Sequence, residues 1–287
     1  MVLVNRTLII GGTGTVGRQV VCQLLQRDSP VRVLTRNPKD ARFPPQVEVV
    51  RGDLTRPETL DACLENIRAV FLVWVAPPAG VAPALERIAR RARRIVFLSA
   101  PLKTAHPLFQ RPNPARELGL QIERLIESSG LQWTFLRPGM FAANAQSWWR
   151  EQIRAGDVIR WPYLSVPTAP IDERDIAAVA VRALSEDGHG GAEYVLTGPQ
   201  SLSQLEQLST IGTAIGRSLH LEEITADQAR QELLRIMPAP IINMLLDAWA
   251  AADGQPAFVT STVEKITGAP ARTFLEWATN HAPEFRG

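Results

Sequence analysis

Tyrosine, cysteine and lysine are scarce in this chain of 287 residues, which contains two tyrosines, two cysteines and three lysines. Cys22 and Cys63 both lie in amphipathic helical patterns, so we predict two buried, reduced thiols rather than a disulfide. No metal site is predicted. The net charge of +2 argues against nucleic acid or an acidic membrane surface as a partner.

The sequence also lacks a long hydrophobic run. The longest uncharged stretch, 69–85, is broken by Pro77, Pro78, Gly80 and Pro83, whereas a membrane-spanning helix needs about 20 apolar residues. No secretory signal precedes the first predicted strand. We therefore expect a soluble, cytoplasmic protein that acts on a small molecule as a monomer or homodimer.

Apolar strands and amphipathic helices alternate through the first half of the chain. Runs rich in β-branched residues predict six strands, over 7–10, 31–35, 47–51, 70–75, 94–99 and 133–137. Helical patterns lie between several of them, over 57–66, 80–93 and 113–129. This alternation is typical of a parallel sheet with helices on both faces. We predict an α/β fold, a Rossmann-type doubly wound parallel sheet with a smaller C-terminal α/β substrate lobe.

The second half of the chain is less regular. It predicts a helix capped by Asp172, a strand over 191–198 and a helix over 201–216. Three prolines are predicted to break the region after residue 235 into short helices and loops: Pro238, Pro240 and Pro256. We predict that residues 1–140 form a dinucleotide-binding Rossmann core, and that 141–287 form a mixed substrate-binding lobe with segments that return to the core.

The stretch LIIGGTGTVGRQVV, residues 8–21, is the local pattern that most strongly indicates a dinucleotide-binding loop. Its glycines fit the dinucleotide fingerprint as Gly12-x-Gly14-x-x-Gly17, and they fit the short-chain variant as Gly11-x-x-Gly14-x-x-Gly17. Such a loop allows close backbone approach to a pyrophosphate, which the amides of the following helix then bind. A tight turn without a ligand would give the same pattern. The preceding strand and following helix favour the cofactor.

The residues after the second predicted strand bear on cofactor preference. A cofactor without a 2′-phosphate requires a carboxylate about 20 residues beyond the loop. This chain instead has Thr35 and Arg36 there, followed by Asn37, Pro38 and Lys39. Arg36 is either a solvated loop residue or a partner for a 2′-phosphate. We predict that NADP(H) is preferred, with NAD(H) as the alternative.

Several further motifs make the chain resemble the NmrA-like members of the atypical short-chain dehydrogenase/reductase superfamily. The resemblance covers nearly the whole length. Its motifs are GGTGTVG, LTRNP, RGDL (51–54), ESSGLQWTFLRPGMFAAN (127–144), IDERDIAAVA (171–180), YVLTGPQSLS (194–203) and the ending at 267–285.

This resemblance implies a cofactor that lies across the carboxyl ends of the strands. The pyrophosphate would be held by the glycine-rich loop and the first helical turn: Gly11, Gly12, Thr13, Gly14, Thr15, Val16 and Gly17. The adenosine half would lie against Arg36, Asp53 and Leu54. The nicotinamide half would lie against the ends of three further strands: Val73, Trp74, Val75, Ser99, Ala100, Pro138 and Gly139.

The usual catalytic pair of short-chain dehydrogenases, Tyr-x-x-x-Lys, is missing. Tyr163 is followed four residues later by Pro167, and Tyr194 by Gly198. In some NmrA-like reductases a histidine or lysine stands on the helix before the sixth strand, where this chain has Gly119 and Leu120. Alcohol–ketone interconversion through a tyrosine acid is therefore not expected.

The catalytic residues remain unknown from the sequence. Weak candidates are Ser99, at the end of the fifth predicted strand, and Lys103 and His106 in the following loop. A strand-terminal serine more often caps a turn, and a loop lysine or histidine is more often solvated.

Aromatic residues of the second half are candidates for a substrate wall. Phe141, Trp148 and Tyr163 would contact an aromatic or quinone-like substrate over the carboxyl ends of the strands. Ordinary packing of the second lobe is the alternative explanation.

Three functions fit these observations. The favoured one is an NAD(P)H-dependent reductase of a quinone-like, enone or polycyclic aromatic substrate, which needs no Tyr–Lys pair because charge delocalises over the acceptor. The alternative is a non-catalytic NADP(H)-binding sensor that signals to a protein partner. A third is tailoring of a polycyclic aromatic compound in secondary metabolism, including oxygen-dependent chemistry.

Overall fold

The six apolar runs of the first half form neighbouring strands of a seven-stranded sheet. The computed structural model describes residues 6–110 and 114–286. Its strands, in chain order, are β1 (Arg6–Ile10), β2 (Val31–Thr35), β3 (Glu48–Arg51), β4 (Ile67–Leu72), β5 (Arg94–Leu98), β6 (Gln132–Pro138), β7 (Val158–Trp161), β8 (Pro167–Thr168), β9 (Ala192–Leu196), β10 (Leu202–Ser203) and β11 (His220–Glu223).

The order of the large sheet is β3-β2-β1-β4-β5-β6-β9. Strands β1 to β6 pair in parallel, with Ile10 of β1 aligned between Leu34 of β2 and Leu72 of β4. The chain moves outward from β1 first in one direction and then in the other, so the strand order reverses between β1 and β4. The predicted Rossmann-type doubly wound sheet is confirmed, and a reversal of this kind is where open α/β sheets bind ligands.

Helices connect most of these strands. The described residues contain α1 (Thr15–Leu25), α2 (Leu60–Cys63), α3 (Val81–Arg91), α4 (Pro114–Glu127), α5 (Asn144–Ala155), α6 (Glu173–Ser185), α7 (Gln204–Ile215), α8 (Ala226–Leu233), α9 (Ala239–Ala252), α10 (Thr262–Thr267) and α11 (Phe274–Phe285). Asn113, the first residue of the helix predicted over 113–129, lies outside the described residues. No helix within 6–110 and 114–286 is long and apolar enough to cross a membrane.

The chain divides into two units, and the sheet forms the core of the first. This unit comprises the described residues up to Leu102, together with Pro114–Pro138 and Glu173–Val195. Apolar residues of α2, α3 and α4 cover one face of the sheet, while α1 and α6 pack together on the other. Both faces are therefore buried, which explains why the strands read as continuous apolar runs.

The second unit comprises the other described residues. Strand β7 pairs in parallel with β11, and β8 pairs antiparallel with β10. Helix α7 begins at a capping box between Ser203 and Glu206 and ends at Gly216, whose φ of +72° is the left-handed C-cap that glycine favours. Four tryptophans from α5, β7 and α9 lie in ring contact within its core: Trp148, Trp149, Trp161 and Trp249.

Two predicted elements of the first unit differ from the structure by more than two residues at an end. Strand β4 ends at Leu72 rather than at residue 75, because the apolar run continues beyond the last residue that pairs with β1. The helix predicted over 57–66 is a 3-10 turn, Pro57–Thr59, followed by the four residues of α2. Hydrophobic pattern alone does not mark where backbone pairing stops.

Two other expectations are wrong. Helix α9 is 14 residues long despite the prolines near its start, because Pro238 is the N-cap and Pro240 lies in the first turn, where no backbone N–H is needed. Both cysteines are free as predicted, but Cys22 is exposed and only Cys63 is buried. Val20, Val21 and Leu24 form the buried stripe of α1, and Cys22 lies outside it.

A substitution at Gly17 tests the close approach of α1 to the end of β1. A Cβ atom at this position would collide with the carbonyl oxygen of Gly11, which is backbone and cannot rotate away. We expect Gly17→Ala to lower the free energy of unfolding by about 1–3 kcal/mol, measured by urea denaturation.

Gly119→Ala is the matched control. A Cβ there would lie 2.9 Å from the Cδ1 atom of Leu102, a side-chain end that can move, and alanine favours the α4 helix by about 1 kcal/mol. This variant should stay within about 1 kcal/mol of the natural protein. Equal stability of both variants would contradict the close approach at Gly17.

Candidate functional site

The glycine-rich loop between β1 and α1 leaves the start of the helix open. Gly11 has a φ of +89°, and its carbonyl oxygen accepts a hydrogen bond of 3.1 Å from the Gly14 amide. Gly14 is the N-cap of α1; no side chain caps this end, and the first turn contains no acidic residue. The first amides of α1 therefore suit an anion such as a pyrophosphate, by hydrogen bonding and by the helix dipole.

The loop lies directly on the sheet. A Cβ at Gly11 would lie 2.7 Å from the Cβ of Val73, and one at Gly12 would lie 2.8 Å from Val33. Thr13, Gly14 and Thr15 are exposed, whereas Gly12, Val16 and Gly17 are buried beneath them. The loop thus presents backbone, rather than side chains, beyond the carboxyl end of β1.

A cleft of about 390 Å³ opens beside this loop. The ends of β2 and β3 form its far wall, where the Gly52 amide donates to the Thr35 carbonyl over 3.0 Å. Six residues predicted to bind the cofactor line the cleft: Gly11, Thr13, Arg36, Asp53, Leu54 and Val75. The structure therefore brings the predicted pyrophosphate loop and the predicted adenosine contacts together.

Two arginines line this cleft, and the sequence predicted only one of them. Arg36 is exposed. Arg18 follows the third glycine of the fingerprint; its Nε donates to the Thr13 carbonyl over 2.9 Å, and its guanidinium lies 5.6 Å from the centre of the Phe43 ring. Its position one residue after Gly17, in the first turns of α1, is the signal that would have identified it.

Asp53 is an anion at this end of the cleft. Its carboxylate accepts hydrogen bonds from the amide and the hydroxyl of Thr55, over 2.9 and 2.8 Å. These two bonds lower the pKa of Asp53 most; burial raises it, and the charges of Arg36 and Arg56 lower it further, so that the pKa is lowered overall. Because the carboxylate is bonded within its own turn, it does not offer a proton at neutral pH.

The residues after β4 leave the sheet in a short turn. The Val73 amide still donates to the Ile10 carbonyl over 3.0 Å. The Trp74 ring packs against the core, and its indole N–H donates to the Ala76 carbonyl over 2.6 Å. Val75 is 74% exposed at the edge of the cleft, which makes it the residue of this turn most open to a ligand.

Ser99 follows β5 and is bonded to a buried ion pair. Its hydroxyl donates to Glu123 Oε1 over 2.7 Å. Arg137 donates to both oxygens of Glu123, from Nε to Oε1 over 3.0 Å and from Nη2 to Oε2 over 2.7 Å. Arg137 also forms an ion pair with Glu193. Burial lowers the pKa of Arg137, but its bonds to Glu123 and Glu193 outweigh this effect and raise it overall. Ala100, next in the chain, is exposed.

The sequence reasoning missed Glu123 and Arg137. They are 1% and 3% exposed, respectively, and buried charges of this kind require a partner. The available signal was an acid beside the apolar residues of α4, together with an arginine in the apolar strand WTFLRP.

Lys103 and His106 lie in the loop after β5, in the second unit. Lys103 is exposed. His106 Nδ1 accepts from the Leu108 amide over 3.3 Å, and its Nε2 lies 2.9 Å from the Pro256 carbonyl oxygen. Because a carbonyl only accepts, Nε2 carries the hydrogen and both ring nitrogens are engaged. This geometry favours a structural role for His106.

The predicted substrate residues are all partly buried. Trp148 stacks on Trp161 with ring centres 5.8 Å apart and lines a cavity of about 410 Å³ within the second unit. Tyr163 has a φ of +52°, which is unusual for a bulky residue. Phe141 forms an isolated β-bridge with Ile171. Their contact with a substrate stays a prediction.

Pro138 and Gly139 also belong to the predicted cofactor set. Pro138 is the last residue of β6 and is buried. The Gly139 amide donates to the Leu196 carbonyl over 2.9 Å. Their contact with the nicotinamide stays a prediction as well.

Comparison with known proteins places this chain in a family. A family described as NAD(P)H-binding matches residues 11–187. The (4-alkanoyl-5-oxo-2,5-dihydrofuran-3-yl)methyl phosphate reductase of Streptomyces griseus is 37% identical, covering 97% of this chain and 98% of the relative. The NAD(P)H azoreductase of Xenophilus azovorans is 36% identical with the same coverage.

A solved structure shares the fold. It is an NADPH-dependent quinone oxidoreductase from Escherichia coli, with a TM-score of 0.79 and 21% identity. The alignment covers 96% of this chain and 98% of that one.

The two hydrogen bonds of His106 predict the effect of removing it. We expect His106→Ala to lower the free energy of unfolding by about 1–3 kcal/mol, with NADPH affinity unchanged. Urea denaturation and fluorescence titration would measure the two quantities. His220→Ala, on exposed β11, is the control and should change stability by less than about 0.5 kcal/mol. Unchanged stability of His106→Ala would contradict the structural role.

Proposed function

The chain belongs to the NAD(P)H-binding family and is an NAD(P)H-dependent oxidoreductase, and on that premise we propose that it reduces a conjugated, electron-poor acceptor with NADPH and without a Tyr–Lys pair. A quinone, an enone or an azo compound is such an acceptor. Phe141, Trp148 and Tyr163 are the proposed substrate contacts.

The pair of arginines at the adenosine cleft supports NADPH over NADH. Arg18 and Arg36 both line the cleft beside Asp53 and the glycine-rich loop. Arg36 is near enough to the Asp53 carboxylate for its charge to lower the pKa of Asp53, and Arg18 donates to the Thr13 carbonyl. A 2′-phosphate bound in this cleft would meet both guanidinium groups, which recognise phosphate through several hydrogen bonds.

The missing Tyr–Lys pair and the contacts of Ser99 and His106 support a conjugated acceptor. Neither Tyr163 nor Tyr194 is followed by a lysine four residues later, the Ser99 hydroxyl is already bonded to Glu123, and His106 has both ring nitrogens engaged. When bound, NADPH supplies a hydride. The charge that a conjugated acceptor then gains is delocalised, so water suffices as the proton source.

The relatives support the same class of acceptor. The furanone substrate named for the Streptomyces reductase contains a carbon–carbon double bond conjugated to carbonyl groups, and an azoreductase acts on a nitrogen–nitrogen double bond. A hydride can add to either kind of bond. We infer that the present chain acts on a bond of this type, with orientation of the reactants as the main source of rate.

The arginine pair leads to a prediction on cofactor selectivity. We expect Arg18→Ala and Arg36→Ala each to weaken NADPH binding about tenfold and to change NADH binding by less than about twofold, because only NADPH carries the 2′-phosphate. Titration of nicotinamide fluorescence would give both affinities. Arg91→Ala, at the exposed end of α3 and outside the cleft, is the control. An equal loss for both cofactors would contradict a 2′-phosphate contact.

The proposed reaction is tested with a panel of acceptors. Purified protein is mixed with NADPH and a quinone, an enone, an azo dye or a simple unconjugated ketone, and NADPH oxidation is followed by absorbance. We expect turnover with a conjugated acceptor and none with the ketone. Tight NADPH binding without any turnover would contradict the proposed reaction and favour a cofactor sensor.

A further inference from the structure

The hydroxyl of Ser99 donates its single hydrogen to a buried carboxylate. Ser99 Oγ lies 2.7 Å from Glu123 Oε1, and Glu123 is 1% exposed. Arg137 donates to both oxygens of that carboxylate and is itself 3% exposed. The pair is excluded from water, so it keeps its geometry while a ligand binds nearby.

The chemistry of this contact decides what Ser99 offers to a ligand. A carboxylate that is bonded to a guanidinium through both oxygens accepts hydrogen bonds and donates none. The Ser99 hydrogen must therefore point toward Glu123, which leaves only lone pairs on the other side of Oγ. In this arrangement Ser99 cannot protonate a substrate oxygen, but it can accept a hydrogen bond from an N–H group.

The sheet topology indicates which ligand group reaches Ser99. The adenosine cleft lies over β2 and β3, and the pyrophosphate loop lies at β1. The other half of an extended dinucleotide then crosses β4 toward β5. Neighbouring strands are about 4.8 Å apart, so β5 lies about 10 Å from β1, within reach of the nicotinamide. Ser99 is the first residue after β5.

We propose that Glu123 is a positioning residue that fixes Ser99 as the hydrogen-bond acceptor for the nicotinamide carboxamide. The carboxamide NH₂ is the N–H donor on this part of the cofactor. Holding it would set which face of the ring is turned toward the substrate. The inference rests on the proposed use of NADPH, and it assigns Ser99 a role in orientation rather than in proton transfer.

The test compares NADP⁺ with its 3-acetylpyridine analogue, in which a methyl ketone replaces the carboxamide and no N–H remains. Isothermal titration calorimetry measures both affinities. We expect the natural protein to bind NADP⁺ about tenfold more tightly than the analogue, since one hydrogen bond is at stake. Ser99→Ala should reduce this ratio to less than about twofold by weakening NADP⁺ alone.

Glu123→Gln tests the positioning role separately. The new amide can donate to Ser99 Oγ, which would free the Ser99 hydrogen to point at the ring and so reduce or reverse the preference for NADP⁺. Because this change breaks a buried ion pair, its fold is checked by circular dichroism. Ser99→Ala keeps the ion pair intact, and Ser128→Ala, at the exposed end of α4, is the control that should match the natural protein.

The outcomes separate this inference from the proposed function. A ratio unchanged by Ser99→Ala, with tight NADP⁺ binding retained, would overturn the inference and leave the proposed function standing. A folded Glu123→Gln variant with an unchanged ratio would remove Glu123 from the proposal. Failure of the natural protein to bind NADP⁺ or NADPH at all would overturn the proposed function itself.

Discussion

The carbonyl oxygen of Gly11 occupies the space that a side chain at position 17 would need, and the site depends on this contact. It brings the start of α1 against the end of β1, where the strand order of the sheet reverses. The uncapped amides of α1 are thereby held at the place where α/β sheets bind ligands. The same approach places Arg18, one residue further along α1, in the cleft that Arg36 and Asp53 reach from β2 and β3.

A second constraint acts at the β5 side of the same sheet edge. The Glu123–Arg137 pair is buried, and breaking such a pair by removing one partner typically costs about 3–5 kcal/mol. The pair therefore has a structural effect, since it ties α4 to β6, and a chemical effect, since it fixes the hydrogen of Ser99. Under the proposed function, phosphate recognition at one end of the edge and a fixed acceptor at the other would make orientation, rather than acid catalysis, the main contribution of the protein.

Local patterns predicted much of this from the sequence. The alternation of strands and helices predicted the sheet, and the glycine spacing predicted the tight turn between β1 and α1. The cofactor contacts of the loop and of Arg36 stay predictions. What the sequence did not predict depends on contacts between distant segments. Glu123 meets Arg137 only through the packing of α4 against β6, and His106 meets Pro256 across 150 positions. The end of β4 at Leu72 depends on where its neighbour β1 stops.

Transfer of label from the cofactor to the product distinguishes a reductase from a protein that only binds NADPH. The protein is incubated with NADPH carrying deuterium at one face of C4 and with a conjugated enone, and the product is analysed by mass spectrometry and NMR. Two forms of NADPH are compared, each labelled at a different face of C4. We expect deuterium on the product carbon from one of the two forms and not from the other. Binding of NADPH with no deuterium in any product, from either labelled form, would contradict it.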